Sequence, residues 1–306
     1  MPENQGRCDG RFIGRRPIAV FGNSDRDLQV LEWTSVGVFH VHRNDAECRR
    51  WLCPMNNVMD FPLLIAAVVF IALWISVFVG TYFRKRIGPL KSDERDDFGV
   101  VQGTALTLLG LLIGFTFSMA MSRYEQRKNY EEAEANAIGT EYVRAGLLPD
   151  ADAIRVRNLL RKYLEQRVLF YTIHNERDLD QIGTSTAQLQ GDLWSAVQAS
   201  ALSQPTPVTA LAASGMNDVL NSQGYTQAAW WNRIPLEAWI LLAAIAVGCN
   251  LLIGYGARRT SFLFMILPLA VSLSFFLIAD IDSPRSGLIR VSPENLVILS
   301  ETLRSK

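Results

Sequence analysis

The chain has 306 residues, 49% of them hydrophobic and 20% charged, and its thirty basic and thirty acidic side chains cancel. Zero net charge, with no dense Lys/Arg face interleaved with aromatics, excludes a nucleic-acid-binding protein. The apolar residues gather into blocks at 61–83, 100–121, 236–255 and 262–279. The expected class is therefore an all-α integral membrane protein, four transmembrane helices in two hairpins with a helical soluble insert between them.

Residues 1–54 are arginine-rich, lack helical periodicity and hold Cys8, Cys48 and Cys53 together with His40 and His42. No apolar core follows a basic start, so this is not a conventional signal peptide. The readings are an over-extended start, with translation beginning at Met55 or Met59, or a poorly ordered arm. The cysteines, Cys249 included, show neither paired CxxC nor zinc spacing, and His174 stands alone in the rest of the chain. No metal, cofactor or disulfide framework is expected.

The region 55–121 reads as the first hairpin. Its first span, 61–83, ends in Tyr82, Phe83 and the basic run Arg84, Lys85, Arg86, an aromatic and cationic interface anchor. Gly88-Pro89 breaks the helix before the second span. From Val100 to Met121 no side chain is charged, which at 1.5 Å per residue crosses a hydrocarbon core of roughly 30 Å. This span also carries Gly103, Gly110 and Gly114, with hydroxyls at Thr104, Thr107, Thr116 and Ser118. Small and hydroxylic residues mark contact between helices, so the three glycines are candidate helix-packing positions. Past Met121 the helical pattern continues without a glycine or proline until Gly139, which predicts one helix running from membrane into water.

The hydrophilic region 122–235 repeats helical signals. Pro149-Asp150 is a break and cap; Leu159, Leu160, Tyr163, Leu164 and Val168 mark one amphipathic helix, and Leu189, Leu193, Val197 and Ala201 another. After these two and the extension of the second span, Thr206-Pro207 starts a fourth helix carrying Val208, Leu211 and Val219. The charged stripes Glu131, Glu132, Glu134 and Arg155, Arg157, Arg161, Lys162 read as solvated faces. Trp230, Trp231 and Trp239 fit a headgroup belt where the second hairpin, 236–279, begins, with spans at 236–255 and 262–279 joined by Arg258-Arg259. In the tail, 280–306, Asp280 and Asp282 read as capping and solvated groups, and Ser292-Pro293-Glu294 opens a short amphipathic helix.

No span interior holds an Asp, Glu, Lys, Arg or His, which weighs against a coupled transporter. No phosphate loop, serine elbow or histidine-carboxylate cluster occurs, so no catalytic residue is assigned and the protein is not expected to be an enzyme. Thr107, Leu111 and Phe115, spaced by four, stack on one face of the second span. In a symmetric oligomer such a face makes rings around an axis, a constriction that gates by dewetting; the same spacing also serves ordinary helix packing.

The run LLGLLIGF followed by Ala120, Arg123, Tyr124 and Lys128 resembles the bestrophin pattern, a Leu/Ile-rich span ending in Gly-Phe and passing into an Ala-x-x-Arg-aromatic helix. The four spans split by a helical insert, closing in DIDSPRSGLIRVSP, are similar to the bestrophin-like domain family of bacterial membrane proteins. The resemblance implies a multi-pass protein of the bacterial inner membrane, a homo-oligomer that is pentameric by analogy, and passage of an inorganic anion. It places Phe115 on the neck phenylalanine, with Leu111 and Thr107 one and two turns above, as candidate pore-lining residues. Thr116, Ser118 and Met121 depart from the Arg, Asn and Tyr common there, and Tyr124-Glu125 replaces paired tryptophans. The alternative is a non-conducting membrane-anchored sensor or interaction protein acting through its insert. Basic residues number seven on the short connections against six on the other side, so charge alone does not orient the chain.

Overall fold

The structure, a computed structural model, describes residues 61–88, 91–173, 175–257 and 262–305. The N-terminal extension and its start, Cys8, Cys48, Cys53, His40, His42, His174, Pro89 and the Arg258-Arg259 turn lie outside the described residues. Every regular element among those described is helical: α1 (Pro62–Ile87), α2 (Ser92–Arg144), a 3-10 turn (Ala145–Leu147), α3 (Asp150–Thr172), α4 (Glu176–Ser203), α5 (Pro207–Trp231), α6 (Leu236–Gly256), a 3-10 turn (Phe262–Met265), α7 (Ile266–Asp282) and α8 (Glu294–Arg304).

Local chemistry sets the ends. Pro62 opens α1 without losing a needed donor, and Arg84, Lys85 and Arg86 lie at its negative C-terminal pole. Gly88 then takes φ 111°, a conformation that side chains with a Cβ rarely adopt, and its N–H closes on the Arg84 carbonyl at 3.0 Å. At the start of α2 the Glu94 carboxylate accepts the Lys91 N–H at 3.1 Å. Thr206 caps α5, accepting the Thr209 N–H at 3.2 Å ahead of Pro207.

Helix α2 is unbroken over 53 residues, on the order of 80 Å. Three of its hydroxyls bond back within the helix. Thr104, Thr107 and Thr116 donate to the carbonyls of Val100, Gly103 and Leu112 at 2.8, 2.9 and 2.7 Å. Three stretches, Pro62–Ile87, Glu94–Leu147 and Pro207–Gly256, are long and apolar enough to cross a membrane. Helix α7 has 17 residues.

Two buried cores form. One joins α1, α2, α6 and α7 through Leu73, Leu109, Leu242, Val271 and Phe275; the other joins α2 to α3, α4, α5 and α8 through Ile138, Leu160, Tyr163, Leu193, Met216 and Leu296. In the first, α1 and α6 meet backbone to backbone. A Cβ on Gly80 would run into the Leu251 carbonyl, and one on Gly254 into that of Val77. Gly254→Val is expected to destabilise the protein by about 1–3 kcal/mol through overpacking. Gly248→Ala, which meets nothing within 4 Å, should change thermal unfolding in detergent by less than about 0.5 kcal/mol.

Packing revises several sequence expectations. Glu131 and Glu134 are buried, and Arg157 and Arg161 turn inward to the Tyr142 carbonyl and hydroxyl at 3.2 and 2.6 Å, whereas Glu132, Arg155 and Lys162 are exposed. The core face of α5 is Thr209, Ala212, Met216 and Val219, with Val208 and Leu211 exposed. Trp230 and Trp239 are buried inside the protein, against Phe170 and Tyr171 and against Phe275 respectively, and only Trp231 is open. Asp280 and Asp282 are buried too, each accepting backbone N–H groups instead of facing water.

Candidate functional site

The face of α2 that the chain leaves open is the candidate site. Within its apolar stretch the helix turns Leu109, Thr116 and Ala120 inward, one turn or two apart, against α6 and α7. On the other side Thr107, Leu111 and Phe115 are exposed, Leu111 by 52% and Phe115 by 62%. Only 6% of the most apolar window of this helix is buried, against 22% for α1. A Cβ on Gly103, Gly110 or Gly114 would touch nothing within 4 Å, so among the described residues these glycines pack against no other helix. The open face thus combines small residues, internally bonded hydroxyls and two large apolar side chains. Among the described residues no cluster of three metal-binding side chains occurs.

Below this stretch a polar junction fixes α2. Arg127 is 1% exposed and donates to four carbonyls: Ala229 at 3.2 Å, Asn232 at 3.3 Å, Ile281 at 3.2 Å and Asp282 at 3.2 Å. One guanidinium therefore ties α2 to the end of α5, the link into α6 and the end of α7. The Asp282 carboxylate accepts the Ile234 N–H at 3.1 Å and lies 3.8 Å from Arg123. Asp280 folds the tail back, accepting the N–H groups of Leu288 at 2.6 Å and Ile289 at 2.9 Å. Arg285 then stacks on Phe170 and Trp230, 4.7 and 4.5 Å from the ring centres, and donates to the Phe170 carbonyl at 3.0 Å.

Further along α2 the charges are structural. Glu131 accepts the Leu296 N–H at 3.0 Å and the Asn295 amide at 2.7 Å, supplying the N-terminus of α8 with a carboxylate. Glu134 pairs with Arg167 of α3 and accepts the Thr226 hydroxyl at 3.1 Å, all three side chains being buried. Sequence reasoning took Glu131 and Glu134 for a solvated stripe and gave Arg127 no structural role. The available signal was their i, i+4 and i, i+7 spacing, which repeats one side of α2.

The bestrophin-like domain model matches residues 69–296, about three quarters of the sequence. The chain belongs to the bestrophin-like domain family. Solved structures of this fold include a bacterial bestrophin homolog from Klebsiella pneumoniae with a leucine-to-threonine mutation. It has TM-score 0.55 and 11% identity, over 80% of this chain and 98% of that chain. Another structure of a bacterial bestrophin homolog from that organism gives 0.56 and 11% over 79% and 97%, and a tyrosine-to-alanine mutant 0.53 and 13% over 80% and 97%. At these identities the likeness is one of fold. Among curated proteins none matches the chain.

Proposed function

We propose that the protein is an oligomeric ion channel of a bacterial inner membrane, with the open face of α2 lining the pore. Membership of the family supports the channel class. The observation that carries the pore assignment is the exposure of Thr107, Leu111 and Phe115 on an apolar helix whose opposite side is buried. Stacked copies of Leu111 and Phe115 around an axis make an apolar neck that conducts when wetted. In this reading α7 and the 3-10 turn before it form a fourth crossing, at 262–279, with the others at 61–83, 100–121 and 236–255. The 122–235 region is the helical soluble insert and 280–306 the tail. Gly103, Gly110 and Gly114 then allow neighbouring copies to approach, and the number of copies is five by analogy with bestrophins. Anion selectivity has the same source.

The test is anion flux from liposomes containing purified protein. Wild type should conduct, and Phe115→Ala, which removes the largest apolar side chain of the neck, should raise flux at least severalfold. A closed ring in mild detergent with no flux from either protein would overturn the reading. A monomer or dimer would favour the membrane-anchored sensor.

A further inference from the structure

Glu141 lies on the soluble part of α2, about 30 Å beyond the end of the apolar stretch at Met121. Its side chain is fully buried, and among the described residues neither carboxylate oxygen has a hydrogen-bond partner. It packs on α5 at Gly215, where a Cβ would collide with Oε2. Only a residue without a side chain lets the carboxyl enter this interface, and nothing inside receives it.

The charged neighbours are few. On α2, Arg144 leans over the same glycine, but its Nη1 lies 3.9 Å from Asp218 of α5. On α3, Arg157 and Arg161 are engaged by Tyr142. The 3-10 turn, Ala145–Leu147, carries no charge. On α8, Glu294 and Glu301 are exposed and Arg304 pairs with Glu165. A charged Glu141 would therefore be a desolvated anion held only by a half-open arginine that Asp218 shares.

We propose that Glu141 is a proton-operated latch between α2 and α5: its protonated form holds the helices closed, and its ionised form loosens them. Burial, opposed by Arg144 and helped by Asp218, raises its pKa from 4.5 to about 8. The sign follows. Between those values the folded protein holds a proton that the unfolded chain has lost, so stability falls as pH rises from 4.5 towards 8. Above about 8 both states are ionised and the dependence ends. Within the window each pH unit favours the open state by up to tenfold. Near neutral pH the latch is closed, and alkaline pH loosens it. Because α2 is continuous, loosening reaches the helix that carries Phe115. That last consequence rests on the channel reading; the latch does not.

The experiment is thermal unfolding of the intact protein in detergent from pH 5.5 to 9.5, with infrared detection of protonated carboxyl groups. In wild type the Tm should fall with pH and level off above about 8, while a buried carboxylic-acid band disappears. Glu141→Gln should lose both the slope and the band. Asp218→Asn, at an exposed position, keeps the latch and should move the transition to lower pH, and Arg144→Gln should move it to higher pH. These two variants decide the matter if Glu141→Gln does not fold. Wild-type pH dependence retained in Glu141→Gln, or a transition unmoved by both Asp218→Asn and Arg144→Gln, would overturn the proposal.

Discussion

Arg127→Ala is expected to lower the stability of the purified protein by about 3–5 kcal/mol, among the largest effects of any single substitution here. The side chain is 1% exposed, and its donors satisfy carbonyls of Ala229, Asn232, Ile281 and Asp282. Alanine leaves those acceptors buried beside a cavity, with the Asp282 carboxylate short of a cation. Each unmade bond to a charged donor contributes, although the sum is less than additive. Arg127→Lys should recover only part of the loss, because one ammonium cannot reach carbonyls arranged around a planar guanidinium. Lys128→Ala, one residue on and exposed, should change stability by no more than about 0.5 kcal/mol. Denaturation followed by tryptophan fluorescence is a suitable measurement, since Trp230 and Trp239 are buried. Equal effects of Arg127→Ala and Lys128→Ala would refute the junction's role.

Arg167→Ala should be comparably damaging, again by about 3–5 kcal/mol, for a different reason. It strands the Glu134 carboxylate, fully buried with only the Thr226 hydroxyl left to it. Tyr163 and Tyr171 stand close by, and burial, reinforced by the Glu134 charge, pushes both phenols up, so neither becomes ionised at neutral pH. Removing both charges together, as Glu134→Leu with Arg167→Met, should be far milder than Arg167→Ala alone, because the desolvation of two ions is relieved along with their attraction. A double variant as unstable as the single one would mean that the pair contributes net stability beyond mutual compensation. The readout is a double-mutant cycle on unfolding free energy.

These variants separate two jobs along one helix. The α2 segment at Thr107, Leu111 and Phe115 is open, so substitutions there should change stability little. Farther along, Arg127, Glu131 and Glu134 are buried and bond to α5, α7, α8 and α3, holding those helices in place. On the channel reading proposed above, Phe115→Ala should therefore alter flux with little effect on unfolding, while Arg127→Ala should act by limiting the amount of folded protein.

Much of this architecture could be read from the residue pattern. The uncharged run from Val100 to Met121 and the glycine-free stretch beyond it dictated one long helix, because helical hydrogen bonds are local and neither lipid nor water interrupts them. Thr206-Pro207 fixed a helix start for the same reason. Partners were less legible. Glu131 and Glu134 look like any solvated stripe until α8 and α3 arrive at 3.0 Å and at bonding distance, and Trp230 looks like a headgroup anchor until Phe170 and Tyr171 enclose it. The glycines that bring helices together, Gly80 and Gly254, lie 174 positions apart in the chain.

The sequence by itself determined that this is a helical membrane protein of the bestrophin-like kind, with a pore-helix candidate carrying Thr107, Leu111 and Phe115. Hydropathy, helix length and breaker residues act within a few turns of one chain segment, and composition alone expresses them. Only the tertiary structure decided which charges are buried, that Arg127 gathers four carbonyls, and that the Glu141 carboxyl finds no hydrogen-bond partner among the described residues. A burial or a hydrogen bond between residues a hundred positions apart is a property of packing, and no local pattern contains it.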